Sequence, residues 1–196
     1  ARRLGAVLVH YSTDYVFDGT KSGAYDESDP PNPSNIYGKT KLEGERAIEA
    51  AGIPHLIFRT SWVYGNRGKN FLLTLLRLAK ARDELRIVDD QAGAPTWSRL
   101  IAEATAQVLS QALRPQIEER SGIYHLSAAG QTTWFGFAQA IFEGRDPAPR
   151  LIPITTRDYP LPAARPANSV LANARIGKVF GIALPDWKTG LRLCLE

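Results

Sequence analysis

The stretch from Val7 to Lys41 constrains the fold most, because it reads as a buried strand, then an exposed polar loop, then the start of a helix. Val7, Leu8 and Val9 form a short apolar run ending at His10 and Tyr11, the pattern of a strand covered on both faces. Ser12, Thr13 and Asp14 fall where that strand leaves the sheet, and open α/β sheets bind ligands outside the carboxyl ends of their strands. The loop from Asp18 to Pro33 is rich in Gly, Pro, Asp and Ser, which predicts a surface crossing. Pro31 and Pro33 hold an extended entry, Ser34 is the expected N-cap, and Asn35-Ile36-Tyr37 begins a helix. Tyr37 and Lys41 are four apart and so share one helical face.

That pair has chemical content. A free tyrosine has a pKa of about 10, and a lysine cation held nearby favours its phenolate. The phenol then exchanges a proton with a substrate oxygen at working pH, while a hydroxyl such as Thr13 or Ser12 holds the same oxygen. The set suits a carbonyl/alcohol pair and calls for a hydride carrier. A Tyr-x-x-x-Lys spacing alone also fits a core aromatic beside a solvated lysine; the strand-end Ser12-Thr13-Asp14 upstream favours the active reading.

Composition narrows the class. The 196 residues are 44% hydrophobic and 22% charged, ordinary for a globular protein. A net charge of +4, without a Lys/Arg cluster, argues against a nucleic-acid groove. Cys194 is the only cysteine, which excludes an internal disulfide and fits a reducing cytoplasm. No apolar run approaches the ~20 residues of a membrane span.

Further along, the first helix is expected from about Asn35 to Ala50, with Leu42, Ala47 and Ile48 as its apolar stripe and Gly52 ending it. Pro54 to Arg59 is the next buried strand, and it aims Thr60, Ser61 and Trp62 at the rim that carries Thr13 if the two strands are parallel. A polar loop from Tyr64 to Asn70 precedes a helix from Phe71 to about Ala81. Leu85 to Val88 is a short strand, and Thr96 is expected to cap a helix running to about Leu113. Gly122 to Leu126 is a strand; Thr132-Thr133 caps a helix through Phe142, with Phe135, Ala138, Ile141 and Phe142 inward. Leu151 to Ile154 is a strand, Tyr159 to Pro166 an extended proline-rich segment, and two helices finish the chain, Asn173 to Phe180 and Asp186 to Leu195. Arg165 offers a guanidinium fork for phosphate oxygens, or an ion pair that fixes its irregular segment. His10, His55 and His125 are isolated on strands without metal-ligand spacing and read as structural; Cys194 reads as a packed thiol.

Six segments, in order, carry a resemblance: Ser12–Gly19 (STDYVFDG), Tyr37–Glu45 (YGKTKLEGE), Phe58–Tyr64 (FRTSWVY), Asp90–Thr96 (DQAGAPT), Gly122–Leu126 (GIYHL) and Arg165–Ser169 (RPANS). Together they resemble the extended short-chain dehydrogenase/reductase superfamily and, within it, the dTDP-4-dehydrorhamnose reductase family. The resemblance implies an α/β fold: a partial Rossmann-like doubly wound parallel sheet plus a smaller C-terminal substrate-binding lobe. Residues 1–63 would be the C-terminal remnant of the dinucleotide-binding domain, and 64–196 mainly the substrate-binding lobe, with some segments returning to the sheet. The Gly-rich pyrophosphate turn of such folds is absent from the sequence, so the chain reads as the carboxyl-terminal part of its protein, inactive by itself.

The implied activity is reduction of the 4-keto group of a dTDP-sugar with NADPH or NADH, toward cell-surface polysaccharide such as lipopolysaccharide. The implied catalytic residues are Thr13, Tyr37 and Lys41, with Tyr37, Lys41 and Ser12 toward the cofactor. Thr13, Asp14, Trp62, Gln91 and Arg165 would face the nucleotide-sugar; Trp62 reads equally well as a half-buried packing indole. A homodimer is expected by resemblance, and some members hold magnesium at a dimer contact through glutamates. The corresponding position here is Arg99, which argues against the ion. Sugar-nucleotide epimerases share the triad. Dehydratases place Asp-Glu after the threonine, whereas this chain has Asp14-Tyr15. The regulatory subunit of methionine adenosyltransferase resembles the same family and is the non-catalytic alternative.

Overall fold

A computed structural model describes residues 1–112, 117–160 and 162–196. In chain order the elements are β1 (Leu8–Thr13), α1 (Ile36–Ala50), β2 (His55–Thr60), β3 (Val63–Tyr64), α2 (Phe71–Leu78), β4 (Glu84–Val88), β5 (Ala92–Gly93) and β6 (Thr96–Trp97). There follow α3 (Ser98–Ala112), β7 (Gly122–His125), β8 (Thr132–Thr133), α4 (Trp134–Phe142), β9 (Arg150–Ile154), α5 (Ala174–Phe180) and α6 (Trp187–Leu195).

The main sheet is parallel throughout, in the order β1-β2-β7. Parallel neighbours need crossover connections, and α1 and α3 supply them on opposite faces. Leu56 and Phe58 of β2 pack with Ile101 and Val108 of α3 and Ile176 of α5. Arg59 turns to the other face and meets Glu45 of α1. Alternation along one strand thus addresses two helix layers. Leu56, Ile57 and Phe58 are fully buried, each stabilising by about 1.5–3 kcal/mol. A second core joins α2, β4, α4 and α6 around Leu72, Ile87, Phe137, Ile141, Trp187 and Leu191. It sits under the parallel pair β4-β9.

Several expectations are corrected. Val7 to Val9 are half-buried rather than covered on both faces, because β1 is the edge strand of the described sheet. The cap of α1 is Asn35, not Ser34: Asn35 is extended and its Oδ1 accepts from the Gly38 amide at 2.8 Å. The buried side of α1 is Gly38, Leu42 and Glu45, while Ala47 is exposed. Thr96 caps nothing; it lies in β6, donates to the Ala94 carbonyl at 2.9 Å and accepts from the Ala128 amide at 3.0 Å. The expected end of α3 at Leu113 lies outside the described residues. Helix α2 stops at Leu78, and α4 buries Phe137 together with the expected Ala138, Ile141 and Phe142, while Phe135 is only partly buried. Leu161, within the expected extended segment, also lies outside the described residues. Among the described residues no helix is long and apolar enough to cross a membrane.

Candidate active site

Register places the site. Thr13, the last residue of β1, lies opposite Thr60, the last residue of β2, so both strands deliver polar residues to one rim. Beyond the strand ends Thr13, Asp14 and Ser61 are all buried. The Thr13 hydroxyl donates to Asp14 Oδ1 at 2.9 Å and accepts from the Tyr15 amide at 3.2 Å. The Ser61 hydroxyl donates to Asp14 Oδ2 at 3.1 Å. Burial raises the Asp14 pKa to about 6, against the opposing pull of hydrogen bonds from Thr13, Ser169 and Ser61. Asp14 is therefore an inward carboxyl occupied by neighbouring hydroxyls, rather than one turned to an incoming sugar. Ser12 is buried too, and its Oγ has no hydrogen-bond partner among the described residues.

Helix α1 presents the second half. Gly38 abuts the Tyr15 carbonyl so closely that any Cβ there would collide with it. This close approach brings the first turn of α1 onto the segment after Thr13, and the Tyr37 ring stands edge-on to Tyr15 with centroids 5.9 Å apart. Tyr37 is 55% exposed. Lys41 reaches back across β1: its ammonium donates to the Tyr11 carbonyl and lies 3.5 Å from His10 Nε2. His10 is thus not isolated, a contact that no spacing in the sequence announces. Burial and then the Lys41 charge hold the His10 pKa below its ordinary value. The described hydrogen bonds attach Lys41 to β1 and do not join it to the Tyr37 hydroxyl.

The remaining candidates gather around a cleft of about 800 Å³. Gln91, Trp134, Arg86, Tyr159 and Arg165 line it. Trp62 adopts a left-handed backbone (φ 45°), and its indole stacks on that of Trp134 at 3.5 Å and 4°. Gly93 lies against the same indole, where a Cβ would overlap the ring. Trp62 therefore reaches the cleft as the backing of Trp134. Gln91 is fixed by two neighbours, accepting from Trp134 Nε1 at 3.1 Å and donating to Thr156 Oγ1 at 2.9 Å. Trp134 and Thr156 escaped the sequence reading, since neither belongs to a recognisable spacing. Arg165 links the two halves of the site: it lines the cleft, and its charge acts on Tyr15, which touches Tyr37. Thr13 ends β1 and Asp14 follows it, and Tyr37 and Lys41 reach that strand and its exit from α1 by way of Tyr15 and Tyr11; Gln91 and Arg165 line the cleft, with Trp62 behind Trp134.

The donor set fits a nicotinamide nucleotide at the β1–α1 junction, which offers an exposed phenol, an ammonium along β1 and a Ser12 hydroxyl without a partner among the described residues. The residues do not fit magnesium at Arg99, whose guanidinium pairs with Glu103 at 2.8 Å.

The sequence matches the RmlD substrate binding domain family over residues 1–196. The dTDP-4-dehydrorhamnose reductase of Burkholderia thailandensis is 52% identical over 205 residues, an alignment covering 100% of this chain and 69% of that protein. The crystal structure of a dTDP-4-dehydrorhamnose reductase from Clostridium acetobutylicum superposes with a TM-score of 0.91 at 38% identity, covering 100% of this chain and 67% of that one. A reductase of the same name from Bacillus anthracis, solved in complex with NADP, gives 0.90 at 36% identity, with 98% and 66% covered. The chain thus spans about two thirds of the length of these relatives.

Proposed function

The chain belongs to the RmlD substrate-binding domain family, and from that premise we propose that it supplies the proton-transfer and sugar-binding part of a dTDP-4-dehydrorhamnose reductase, an NAD(P)H-dependent oxidoreductase of dTDP-rhamnose biosynthesis. The substrate is a nucleotide-sugar ketone, dTDP-4-dehydro-L-rhamnose, and the setting is the cytoplasm. Residues 1–63 act as the cofactor-facing part and residues 64–196 mainly as the sugar-facing part. One observation carries the reading: the end of β1, with Thr13, is held against the first turn of α1, with Tyr37, by the Gly38–Tyr15 contact.

The bound cofactor supplies hydride to the ketone carbon. Everything else falls to side chains of this chain. Tyr37, exposed at the rim, donates the proton that the developing alkoxide requires. Lys41 is held on the Tyr11 carbonyl, which leaves its remaining protons for the cofactor ribose and for the phenol side of the site. Thr13 orients the reacting oxygen. Arg165 meets the pyrophosphate by bidentate hydrogen bonding, and Gln91, fixed by Trp134 and Thr156, meets the nucleotide.

The test is loss of NADPH absorbance when the full-length protein receives dTDP-4-dehydrorhamnose. Removing a general acid costs roughly 10²–10⁴ in rate, so Tyr37→Phe should lose turnover on that scale with its far-UV circular dichroism unchanged. Near-normal turnover in that variant refutes the assignment.

A further inference from the structure

The Thr13 hydroxyl owns one proton, and it is already given away. It is donated to Asp14 Oδ1 at 2.9 Å, while the oxygen accepts from the Tyr15 amide at 3.2 Å. A ketone oxygen only accepts, so Thr13 in this arrangement has nothing to offer it. Two routes free the proton. The hydroxyl could swing away and leave a carboxylate that is 3% exposed short of a donor. Alternatively Asp14 becomes protonated and donates to Thr13, which then donates outward. The second route keeps each of these buried groups paired, and unpaired buried polar groups are costly.

We propose that Asp14 is a positioning residue that takes up one proton when the ketone binds, and so turns the Thr13 hydroxyl toward the substrate oxygen. The proposal rests on the reading of Thr13 above. The groups facing the Asp14 carboxyl are the hydroxyls of Thr13 from β1, Ser61 from the end of β2 and Ser169 from the strap before α5. Tyr15 follows it in sequence and is itself under the field of Arg165. Among the described residues no Lys or Arg forms an ion pair with Asp14. With burial holding its pKa at about 6, a proton is within reach of neutral solution. The alcohol product differs from the ketone in carrying a proton of its own. It donates to Thr13 Oγ1 while Thr13 goes on donating to Asp14, so its binding needs no proton.

The full-length protein saturated with NADP⁺ binds ketone without reducing it. Calorimetric titration with dTDP-4-dehydrorhamnose at pH 7.5, in two buffers of different ionisation enthalpy, counts protons directly. The expected result is uptake of close to one proton per ketone, none per dTDP-rhamnose, and none for ketone in Asp14→Asn. In steady state, KM for the ketone should rise about tenfold per pH unit above pH 7 in the wild type and stay level in Asp14→Asn. Ketone binding without proton uptake in the wild type, or uptake that persists in Asp14→Asn, overturns the proposal. Thr13→Val separates the two layers. If it weakens ketone binding while the wild type takes up no proton, only the role of Asp14 falls. If it leaves KM and kcat unchanged, the reading of Thr13 falls with it.

Discussion

A side chain's identity says what it can do, and its surroundings say which proton it holds. Asp14 shows this through stability as well as catalysis. Its folded pKa of about 6 lies above the ordinary 3.8, so the folded state binds the proton more tightly than the unfolded chain does. The stability this contributes is fully present below pH 3.8 and is lost as pH rises through about 6. Two pKa units correspond to roughly 3 kcal/mol. Asp14→Asn should therefore become more stable relative to the wild type by on the order of 3 kcal/mol between pH 3.5 and pH 7.5, read from urea unfolding at both. Equal shifts for the two proteins across that interval contradict the burial argument. The Tyr37–Lys41 spacing was legible in the sequence because i,i+4 geometry is local. The acceptors of Lys41, Tyr11 and His10, lie a loop and a strand away and were not.

At the scale of elements, α1 positions the site through its first turn. Asn35 caps the helix, and its Nδ2 also donates to the Ala164 carbonyl at 2.9 Å, beside Arg165. Asn35→Ala should cost about 1 kcal/mol of stability, the ordinary loss of an N-cap. It should also raise KM more than it lowers kcat, because the segment carrying Arg165 loses an anchor. Thermal melts and steady-state kinetics on the same preparation check both, and an unchanged KM would detach Arg165 from substrate binding. Gly38 sets the seam between α1 and β1, so Gly38→Ala should reduce kcat while far-UV circular dichroism retains the helix. Element types and order were largely readable from apolar periodicity and turn residues. Caps were not: Ser34, Asn35 and Thr96 are chemically similar, and only backbone conformation selects among them.

Across the whole molecule, the Glu45–Arg59 pair ties α1 to the central strand. Two hydrogen bonds join them, at 3.0 and 2.7 Å, and neither residue is more than 2% exposed. Removing one partner strands the other charge, which costs about 3–5 kcal/mol. Glu45→Leu and Arg59→Leu should each destabilise on that scale, and the double variant by clearly less than their sum; additive losses in a denaturant-melt cycle would rule out coupling. The same divide between local and distant runs through the protein. The longer strands and helices, the four-residue spacing of Tyr37 and Lys41 and the polar residues after β1 follow from the sequence alone, because each depends on neighbours a few positions away; the two-residue strands β3, β5, β6 and β8 do not. The tertiary structure alone decided that Ser61, 47 residues from Asp14, shares its carboxylate, and that Arg165 lines the cleft while its charge reaches Tyr15. It also placed a charge, Glu45, inside α1. Burial and proton ownership depend on groups that meet only when the chain closes, and no period along the sequence encodes that meeting.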